Sequence, residues 1–392
     1  MNDREIRGLA GANRLYSDRT LRIRELKRSG RRVMGYLCIY PVVEMMTAVD
    51  LVPFRLFGNM REPVTQADTY LPTVVCPFLR SLLDIGLKGK YDFLDGVTFV
   101  HTCDVGAQFA NNWKINVKTP FSFFIDMPHT THAGALDYFK GLLQDYKKAL
   151  EAYTGEPISD EKLRKAVVLQ NEQRALVRSL YDCKKVDPPL ISGVETLEVL
   201  IGIMSLPTDE GNVLLREVIN DLHSRKPLAS ENRTRLMLWG GVIDDTALLK
   251  MIENLDADIV MDDTCVGSRA YFTDVEITDD PLDGLAKHYL TGIQCPRTFK
   301  EKREGATIRK YSEDLEHRFG YIGEFVGQFN VEGVILQALR YCDAHGYEIP
   351  AMTDYLKGIG IPSIYIEHNY SEAAFAPMQT RIQSFLEMIE DI

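Results

Sequence analysis

Apolar and polar residues follow two kinds of pattern along the chain, and the two kinds succeed each other in a regular order. Short runs rich in β-branched and aromatic residues, such as VMGYLCIYPV, DGVTFVHTC and TRLMLWGGV, indicate buried strands. Stretches with helical periodicity separate them, as in PFLRSLLD and DVGAQFANNWK. Because strands that alternate with helices of this length form βα units, the pattern predicts an α/β fold with parallel sheets.

The same pattern divides the chain into four predicted parts. A basic, helical N-terminal segment over 1–33 precedes a first α/β domain over 34–133. Residues 134–230 show helical periodicity and paired charges with few strand signals, which predicts a helical region. The strand–helix alternation resumes in a second α/β domain over 231–392. There, the periodicity predicts helices near 244–254, 280–328, 349–358 and 377–390.

Composition excludes several classes of function. The net charge of −11 and the pI near 5.3 argue against nucleic acid as the main partner. No apolar run reaches the roughly 18–20 residues of a membrane span, and the N-terminus lacks a signal-peptide core, so we expect a cytoplasmic protein. Residues 1–33 carry a net charge of +6, which fits either a solvated amphipathic helix or a docking surface for an acidic subunit or an anionic ligand.

The seven cysteines are the candidate chemistry of the chain. Their number is odd and they contain no C-x-x-C pair, which argues against a disulfide framework and against a zinc ribbon. Cys76 precedes Pro77 at a predicted helix start, where the helix dipole favours a thiolate. Cys103 and Cys342 each follow a predicted strand, and parallel sheets bind ligands at that end of their strands.

Three thiolates from distant segments suit a soft-ligand metal centre, and one candidate is an iron–sulfur cluster in which one iron lacks a cysteine ligand. The alternative is that these are ordinary buried cysteines, because free cysteine is among the most buried residue types. The strand-to-Cys-Asp sequence at Cys103 recurs at Cys342, which suggests two related halves that face each other.

Longer stretches of the chain resemble a known family. LPTVVCPFLRS, VHTCD, DDTCVGSR, EGVILQALRYCD and IPSIYIEHNYSEAAFAPMQTRIQSFLEMI occur in the order found in subunits of the benzoyl-CoA reductase / 2-hydroxyacyl-CoA dehydratase family. The resemblance covers nearly the whole chain from about Gly35 onward. It implies two Rossmann-like domains with a helical region, and a 4Fe-4S cluster held by Cys76, Cys103 and Cys342.

The resemblance also implies partners and an activity. Members pair with a second, similar cluster-bearing subunit, and a separate ATP-hydrolysing iron–sulfur protein supplies single electrons at low potential to an acyl-CoA substrate. The stretch RYCDAHGYE resembles the reductase branch more than the dehydratases. The leading hypothesis is therefore a cluster-carrying subunit of an ATP-dependent benzoyl-CoA reductase. The alternatives are a 2-hydroxyacyl-CoA dehydratase subunit, an electron-relay or scaffold subunit whose partner binds substrate, and a metal-free α/β binding protein.

Glu44 is the candidate catalytic acid, because it follows the first predicted strand at a position where the family carries an acid near the cluster. It would donate or orient protons, or else be a carboxylate favoured by a helix start. In DDTCVGSRAYF, Cys265 precedes a turn whose N–H groups and Arg269 would hold a CoA phosphate, or would form an ordinary strand-to-helix turn. A role of Cys265 as a cluster ligand is the alternative that we favour least.

We interpret the other histidines and cysteines near these motifs as structural residues. His101 and His345 lie close in sequence to the strand-end cysteines Cys103 and Cys342. Each would either transfer protons near neutral pH or be a hydrogen-bonded residue of the core or of the layer around the site. We favour the second interpretation. The residues read as structural are Cys38, Cys183 and Cys295. The chain contains neither a P-loop nor a G-x-G-x-x-G after a strand, so we expect it to bind neither ATP nor NAD.

Overall fold

A computed structural model describes residues 7–228, 233–300 and 310–391 of the protein. Within these ranges, two four-stranded sheets form, and every pair of neighbouring strands is parallel. The strands are Val33–Tyr36 (β1), Val52–Arg55 (β2), Gly96–Val100 (β3), Phe121–Ile125 (β4), Thr234–Gly240 (β5), Ala257–Asp263 (β6), Gly333–Leu339 (β7) and Ser363–His368 (β8).

The same ranges form fourteen α-helices, none of which has both the length and the apolar character needed to cross a bilayer. They are Gly8–Ser17 (α1), Leu21–Arg28 (α2), Val43–Thr47 (α3), Pro77–Leu87 (α4), Asp104–Asn116 (α5), Ala133–Thr154 (α6), Asp160–Asp182 (α7), Gly193–Ile203 (α8), Thr208–Ser224 (α9), Ala247–Glu253 (α10), Pro281–Lys287 (α11), Tyr311–Gln328 (α12), Asp343–Gly358 (α13) and Phe375–Glu390 (α14).

The two sheets have the same strand order. The first runs β2-β1-β3-β4 and the second runs β6-β5-β7-β8. In each sheet, the chain moves outward on one side of its first strand and then crosses to the other side, which creates a switch point at β1/β3 and at β5/β7. The predicted fold class is confirmed: the protein is α/β, with two Rossmann-like parallel sheets and a helical region.

Burial explains why these strands read as continuous apolar runs. The central strands β1, β3, β5 and β7 are buried along their whole length. A parallel sheet covered by helices on both faces requires such runs rather than an alternation of apolar and polar residues. The edge strands β4 and β8 are partly exposed, and their sequences are correspondingly more mixed.

Helices α6 to α9 occupy the region between the two sheets in sequence. Helix α8 is buried along its length and packs against α1, α9 and β6, which makes it the centre of the helical layer. A full capping box starts α8: Glu195 N–H donates to Ser192 Oγ over 3.0 Å, and Ser192 N–H donates to the Glu195 carboxylate over 3.1 Å. Buried apolar residues of both sheets and of α8 belong to one continuous core.

Some helix boundaries differ from the sequence-based predictions. The basic N-terminal segment forms two helices, α1 and α2, interrupted near Asp18, while residues 1–6 lie outside the described ranges. Helix α13 begins at Asp343, earlier than the predicted helix near 349–358, and contains Pro350; the acidic Asp343 favours the helix N-terminus. Of the predicted helical range 280–328, residues 301–309 are outside the described part, and a π-helical turn over His288–Gly292 follows α11.

Candidate cysteine-lined site

A cavity lies where the carboxyl ends of the two sheets meet. In the first sheet, Cys38 follows β1 by two residues and Cys103 follows β3 by three. In the second sheet, Cys265 follows β6 by two residues and Cys342 follows β7 by three. Both switch points thus contribute to one cavity, as expected for ligand sites of parallel sheets.

Six of the seven cysteines line this cavity, which we call the cysteine cavity. Its volume is about 120 Å³, several times the ~10–15 Å³ that one ordered water requires. The seventh, Cys183, is buried elsewhere at the end of α7, where its thiol faces the Ser179 carbonyl at 3.6 Å. The lining cysteines are Cys38, Cys76, Cys103, Cys265, Cys295 and Cys342.

The three cysteines singled out in the sequence each precede a helix that starts at the cavity. Cys76 precedes α4, whose first residue is Pro77, and Cys103 precedes α5, where its sulfur accepts a hydrogen bond from Gly106 N–H over 3.3 Å. Cys342 precedes α13. The structure therefore brings Cys76, Cys103 and Cys342 together from three distant segments and places each at a helix N-terminus.

Burial controls the protonation of several of these thiols. It raises the pKa of Cys76 to about 11, although the α4 N-terminus was expected to favour the thiolate. Burial likewise raises the pKa of Cys38 to about 12, and it raises the pKa values of Cys265 and Cys342. Without a bound cation these four thiols hold their protons, and a metal would have to displace them.

The six cavity cysteines form two sets of three. The sequence motifs and the family resemblance single out Cys76, Cys103 and Cys342, which we call the first triad. We call the other three, Cys38, Cys265 and Cys295, the second triad. The two sets adjoin, because a charge on Cys265 raises the pKa of Cys38 and also those of Cys76 and Cys342.

Arginines surround the second triad. Arg269 donates from Nη1 toward Cys265 Sγ over 3.7 Å and pairs with Asp263 over 2.8 Å. Arg55 donates from Nη1 to the Cys38 carbonyl over 2.9 Å. Arg55 and Arg297 both line the cavity and are almost fully buried, and the Nε–H of each has no hydrogen-bond partner among the described residues. The cavity therefore carries permanent positive charge close to the second triad, with free donors on Arg55 and Arg297.

The histidine at position 345 contacts the first triad. His345 Nδ1 lies 3.3 Å from Cys342 Sγ, and its Nε2 lies 3.3 Å from Arg269 Nη1. Burial and the Arg269 charge lower the pKa of His345 to about 3, so the ring is neutral near pH 7. His101 lies outside the cavity lining and bonds to Asp126 through Nδ1 over 2.7 Å.

Glu44 is not among the residues that line the cysteine cavity. Its fully buried carboxylate accepts from Arg174 Nη2 and from Tyr289 Oη, each over 2.7 Å. The two partners line a separate pocket of about 50 Å³, and Arg55 lines both that pocket and the cysteine cavity. The structure thus brings the three predicted cysteines together and places Glu44 in a neighbouring buried ion pair.

The turn after Cys265 does not present a phosphate site. Gly267 N–H donates to Thr264 Oγ1 over 2.9 Å, and Ser268 N–H donates to Asp262 Oδ1 over 3.1 Å. The Arg269 side chain is fully buried in its pair with Asp263. The hypothesis that this turn holds a CoA phosphate is therefore wrong, because its donors are already used inside the protein.

Two of the cavity cysteines, Cys38 and Cys295, are residues for which the sequence predicts only a structural role. Cys38 follows the end of β1, which is the same strand-end signal that identified Cys103. That signal applied consistently would have selected Cys38. Cys295 lies in a loop ahead of Pro296, and no pattern in the sequence distinguishes it from a buried thiol.

Two parallel sheets whose strand ends enclose a thiol-rich cavity define a two-domain α/β protein with a single cysteine-lined centre. The chain belongs to the family described as 2-hydroxyglutaryl-CoA dehydratase, D-component, which matches residues 38–389. All six cavity cysteines fall within the matched range. This membership confirms the family resemblance predicted from the sequence motifs.

The relatives of the chain are named as subunits either of acyl-CoA dehydratases or of benzoyl-CoA reductase. The chain is 25% identical to the (R)-phenyllactyl-CoA dehydratase beta subunit of Clostridium sporogenes, over 94% of each chain. It is 24% identical to one of the benzoyl-CoA reductase subunits of Thauera aromatica, over 92% of this chain and 91% of that one. It is 22% identical to the (R)-2-hydroxyglutaryl-CoA dehydratase beta subunit of Acidaminococcus fermentans, over 93% and 94%. Overall identity thus favours neither the reductases nor the dehydratases.

Proposed function

We propose that this chain is the iron–sulfur subunit of an ATP-dependent benzoyl-CoA reductase, which reduces an aromatic acyl-CoA to a cyclic diene by single electrons at low potential. The observation that carries the proposal is the first triad, whose three cysteines meet at one cavity between the two sheets. The reductase-like stretch around Cys342 supports this branch of the family over the dehydratases.

The donor set suits a 4Fe-4S cluster held by Cys76, Cys103 and Cys342. Thiolates are soft ligands that favour iron–sulfur clusters. The three cysteines stand at the N-termini of α4, α5 and α13, whose partial positive charge favours an anionic group. Over residues 7–228, 233–300 and 310–391, no three His, Cys, Asp or Glu side chains are arranged to hold one metal ion. A cluster differs in this respect, because its cysteines bind separate irons.

When bound, the cluster would supply the low-potential single electrons, and the chain would supply position, charge and exclusion of water. The first triad holds the group between the halves. The apolar side chains of Phe78, Leu79 and Val242 line the cavity and keep water from it. The neutral His345 ring orients Cys342 through its Nδ1 contact.

The assembly we propose has three further members. A second, homologous subunit that also bears a cluster encloses the cavity, ATP-hydrolysing iron–sulfur subunits deliver electrons, and an acyl-CoA is the substrate. The relatives are themselves named as subunits, which supports a hetero-oligomer. The absence of a P-loop motif from the sequence supports a separate ATPase.

A 2-hydroxyacyl-CoA dehydratase subunit is the second candidate. The observation in its favour is the 25% identity to the phenyllactyl-CoA dehydratase subunit, which is as high as the 24% identity to the reductase subunit. The cysteine cavity serves either reaction, because both place a single electron on an acyl-CoA. With either the reductase or the dehydratase reaction, a further alternative is that this chain only relays electrons and its partner subunit binds the substrate.

The test is an anaerobic assay of the chain co-expressed with the partner subunits proposed above. With ATP and a strong reductant, we expect consumption of benzoyl-CoA and no dehydration of (R)-phenyllactyl-CoA. The reverse result would establish the dehydratase. A complex that carries Cys103→Ser is the control and should be inactive on both substrates. A chain that binds no iron or sulfide after anaerobic reconstitution would contradict both candidates.

A further inference from the structure

The first triad leaves three thiols of the cysteine cavity without a role. We propose that the second triad, Cys38, Cys265 and Cys295, is a further set of iron ligands, so that the cavity holds about twice the iron and sulfide of one 4Fe-4S cluster. This inference rests on the proposed function, and it adds a second ligand set to the same cavity.

The second triad is built in the same way as the first. In each sheet, strand ends supply cysteines to both triads: Cys38 and Cys103 from the first sheet, Cys265 and Cys342 from the second. Cys295 completes the second triad from the loop after the π-helical turn. Because each triad draws on both halves, an iron–sulfur group bound to the two triads would join the sheets at their switch points.

The backbone at Cys38 carries a conformational cost. Its φ of +74° lies in the left-handed region, which residues other than glycine adopt rarely. Such conformations persist where the surrounding structure enforces them, and they cluster at functional sites. At this position the strained backbone turns the chain at the end of β1, and the side chain lines the cavity.

The charges around the second triad fit an anionic group. Buried thiolates need compensating positive charge, and arginine cannot lose its proton in a protein. Arg269 contacts the Cys265 sulfur, Arg55 bonds to the Cys38 backbone, and Arg297 lines the cavity. The first triad has no arginine in direct contact with its sulfurs among the hydrogen bonds of the described residues.

Two of these arginines also have donors to spare. The Nε–H groups of Arg55 and Arg297 are buried without a partner among the described residues, although the side chains are only 3% and 7% exposed. A buried donor of this kind costs stability unless an acceptor is present. The sulfides and thiolates of an iron–sulfur group accept such hydrogen bonds, which also tune its potential.

Iron and acid-labile sulfide, measured on the full chain after anaerobic reconstitution, test the proposal. We compare the wild type with the triple variant Cys38→Ser/Cys265→Ser/Cys295→Ser and with Cys183→Ser, a buried cysteine outside the cavity. Circular dichroism verifies that each variant folds. The expected result is a loss of about half of the iron and sulfide in the triple variant and no loss in Cys183→Ser.

Each other outcome is decisive. A folded triple variant that retains the wild-type iron content overturns the second triad; the proposed function then stands if Cys103→Ser lowers the iron content. A folded triple variant that loses all iron supports a single group shared by both triads. A wild-type chain that binds no iron overturns the proposed function, and the second triad with it.

A measurement on the wild type alone guards against misfolded variants. Cys38 and Cys265 are half-buried, so a small alkylating reagent can reach them in the metal-free chain. Reconstitution should slow their alkylation at least several-fold, as read by mass spectrometry, while Cys183 reacts at an unchanged rate. Equal alkylation of Cys38 and Cys265 before and after iron loading would overturn the proposal.

Discussion

The Nδ1 atom of His345 lies 3.3 Å from the Sγ atom of Cys342, so a buried imidazole faces a thiol of the first triad directly. Arg269 lies 3.3 Å from the other ring nitrogen, and arginine can only donate hydrogen bonds. His345 Nε2 is therefore the acceptor, and in the neutral ring the proton resides on Nδ1, next to the sulfur. The pair links a proposed cluster ligand to the arginine that contacts Cys265.

This contact predicts that His345→Ala loosens a bound cluster. Groups that orient a metal ligand typically contribute 10- to 100-fold to metal affinity, so iron should leave the variant about 10- to 100-fold faster in the presence of a chelator. His345→Asn, which retains a side-chain nitrogen, should restore part of the retention. His317→Ala, an exposed histidine on α12, is the control. Unchanged iron release in His345→Ala would show that the ring only fills space.

Replacement of any one cysteine of the first triad should have the same effect on iron content and activity. Each of Cys76→Ser, Cys103→Ser and Cys342→Ser should lower the iron content and abolish activity, because a hydroxyl replaces a soft thiolate ligand poorly. Cys183→Ser should change neither, since that thiol is buried outside the cavity. Full iron loading in any of the three variants would remove that cysteine from the ligand set.

The ion pair of Glu44 with Arg174 predicts a large effect on stability. Glu44→Gln leaves the Arg174 charge buried without its partner, which should lower the free energy of unfolding by about 3–5 kcal/mol. Glu161 also pairs with a cation over 2.7 Å, but both of its groups are exposed. Glu161→Gln should therefore leave the free energy of unfolding almost unchanged, because solvent screens an exposed pair. Chemical denaturation of the two variants makes the comparison.

Substitution of Glu44 also tests its predicted role as the catalytic acid. If Glu44 donates a proton to the acyl group, Glu44→Gln should retain the cluster and slow turnover on the order of 10²-fold or more. The double variant Glu44→Gln/Arg174→Gln removes the unpaired charge and should recover stability. Turnover that recovers together with stability would identify Glu44 as a purely structural carboxylate.

A buried histidine predicts how stability depends on pH. Burial lowers the pKa of His368 from 6.5 to about 4, so below pH ~6.5 the unfolded chain binds a proton that the folded chain does not. The free energy of unfolding should therefore fall as the pH falls from ~6.5 to ~4, by up to about 1.4 kcal/mol per pH unit from this residue. His368→Gln should flatten the profile by that amount. An unchanged slope would mean that His368 titrates alike in both states.

The division of roles predicts that the purified chain does not hydrolyse ATP. The sequence lacks the glycine-rich, lysine-containing loop that cradles nucleotide phosphates. ATP turnover should appear only when the activating subunits are added to the chain. Hydrolysis by the rigorously purified chain alone, above the level of a Cys103→Ser preparation made in parallel, would overturn this division of roles.

Much of the fold could be predicted from the sequence because local patterns control it. The continuous apolar runs of β1, β3, β5 and β7 follow from burial on both faces of a parallel sheet. Pro77 marked the start of α4, because proline suits the first turn of a helix. The predicted helix near 349–358 starts too late, since α13 begins at Asp343 and tolerates Pro350, a residue that local rules place at a helix boundary.

The candidate site was only partly predictable. Strand ends and helix starts are local features, so Cys103, Cys342 and Cys76 could be selected from the sequence, and the family resemblance assigned them to a 4Fe-4S cluster. The partner of Glu44 could not be foreseen, because Arg174 lies 130 residues away in the chain. Nor could the sequence show that burial outweighs the helix dipole at Cys76, because desolvation depends on everything packed around the thiol.

The sequence by itself determined the order of strands and helices, the thiols available for chemistry and the family to which the chain belongs. Only the tertiary structure decided that six cysteines from both halves line one cavity, that Arg55 and Arg297 line it with them, and that Arg269 contacts Cys265. The physical reason is that each sheet gathers distant loops at the carboxyl ends of its strands, and the packing of the two sheets around one core brings those ends to one cavity. Residues such as Cys38 and Cys295, 257 positions apart, become neighbours through that arrangement and through no local pattern.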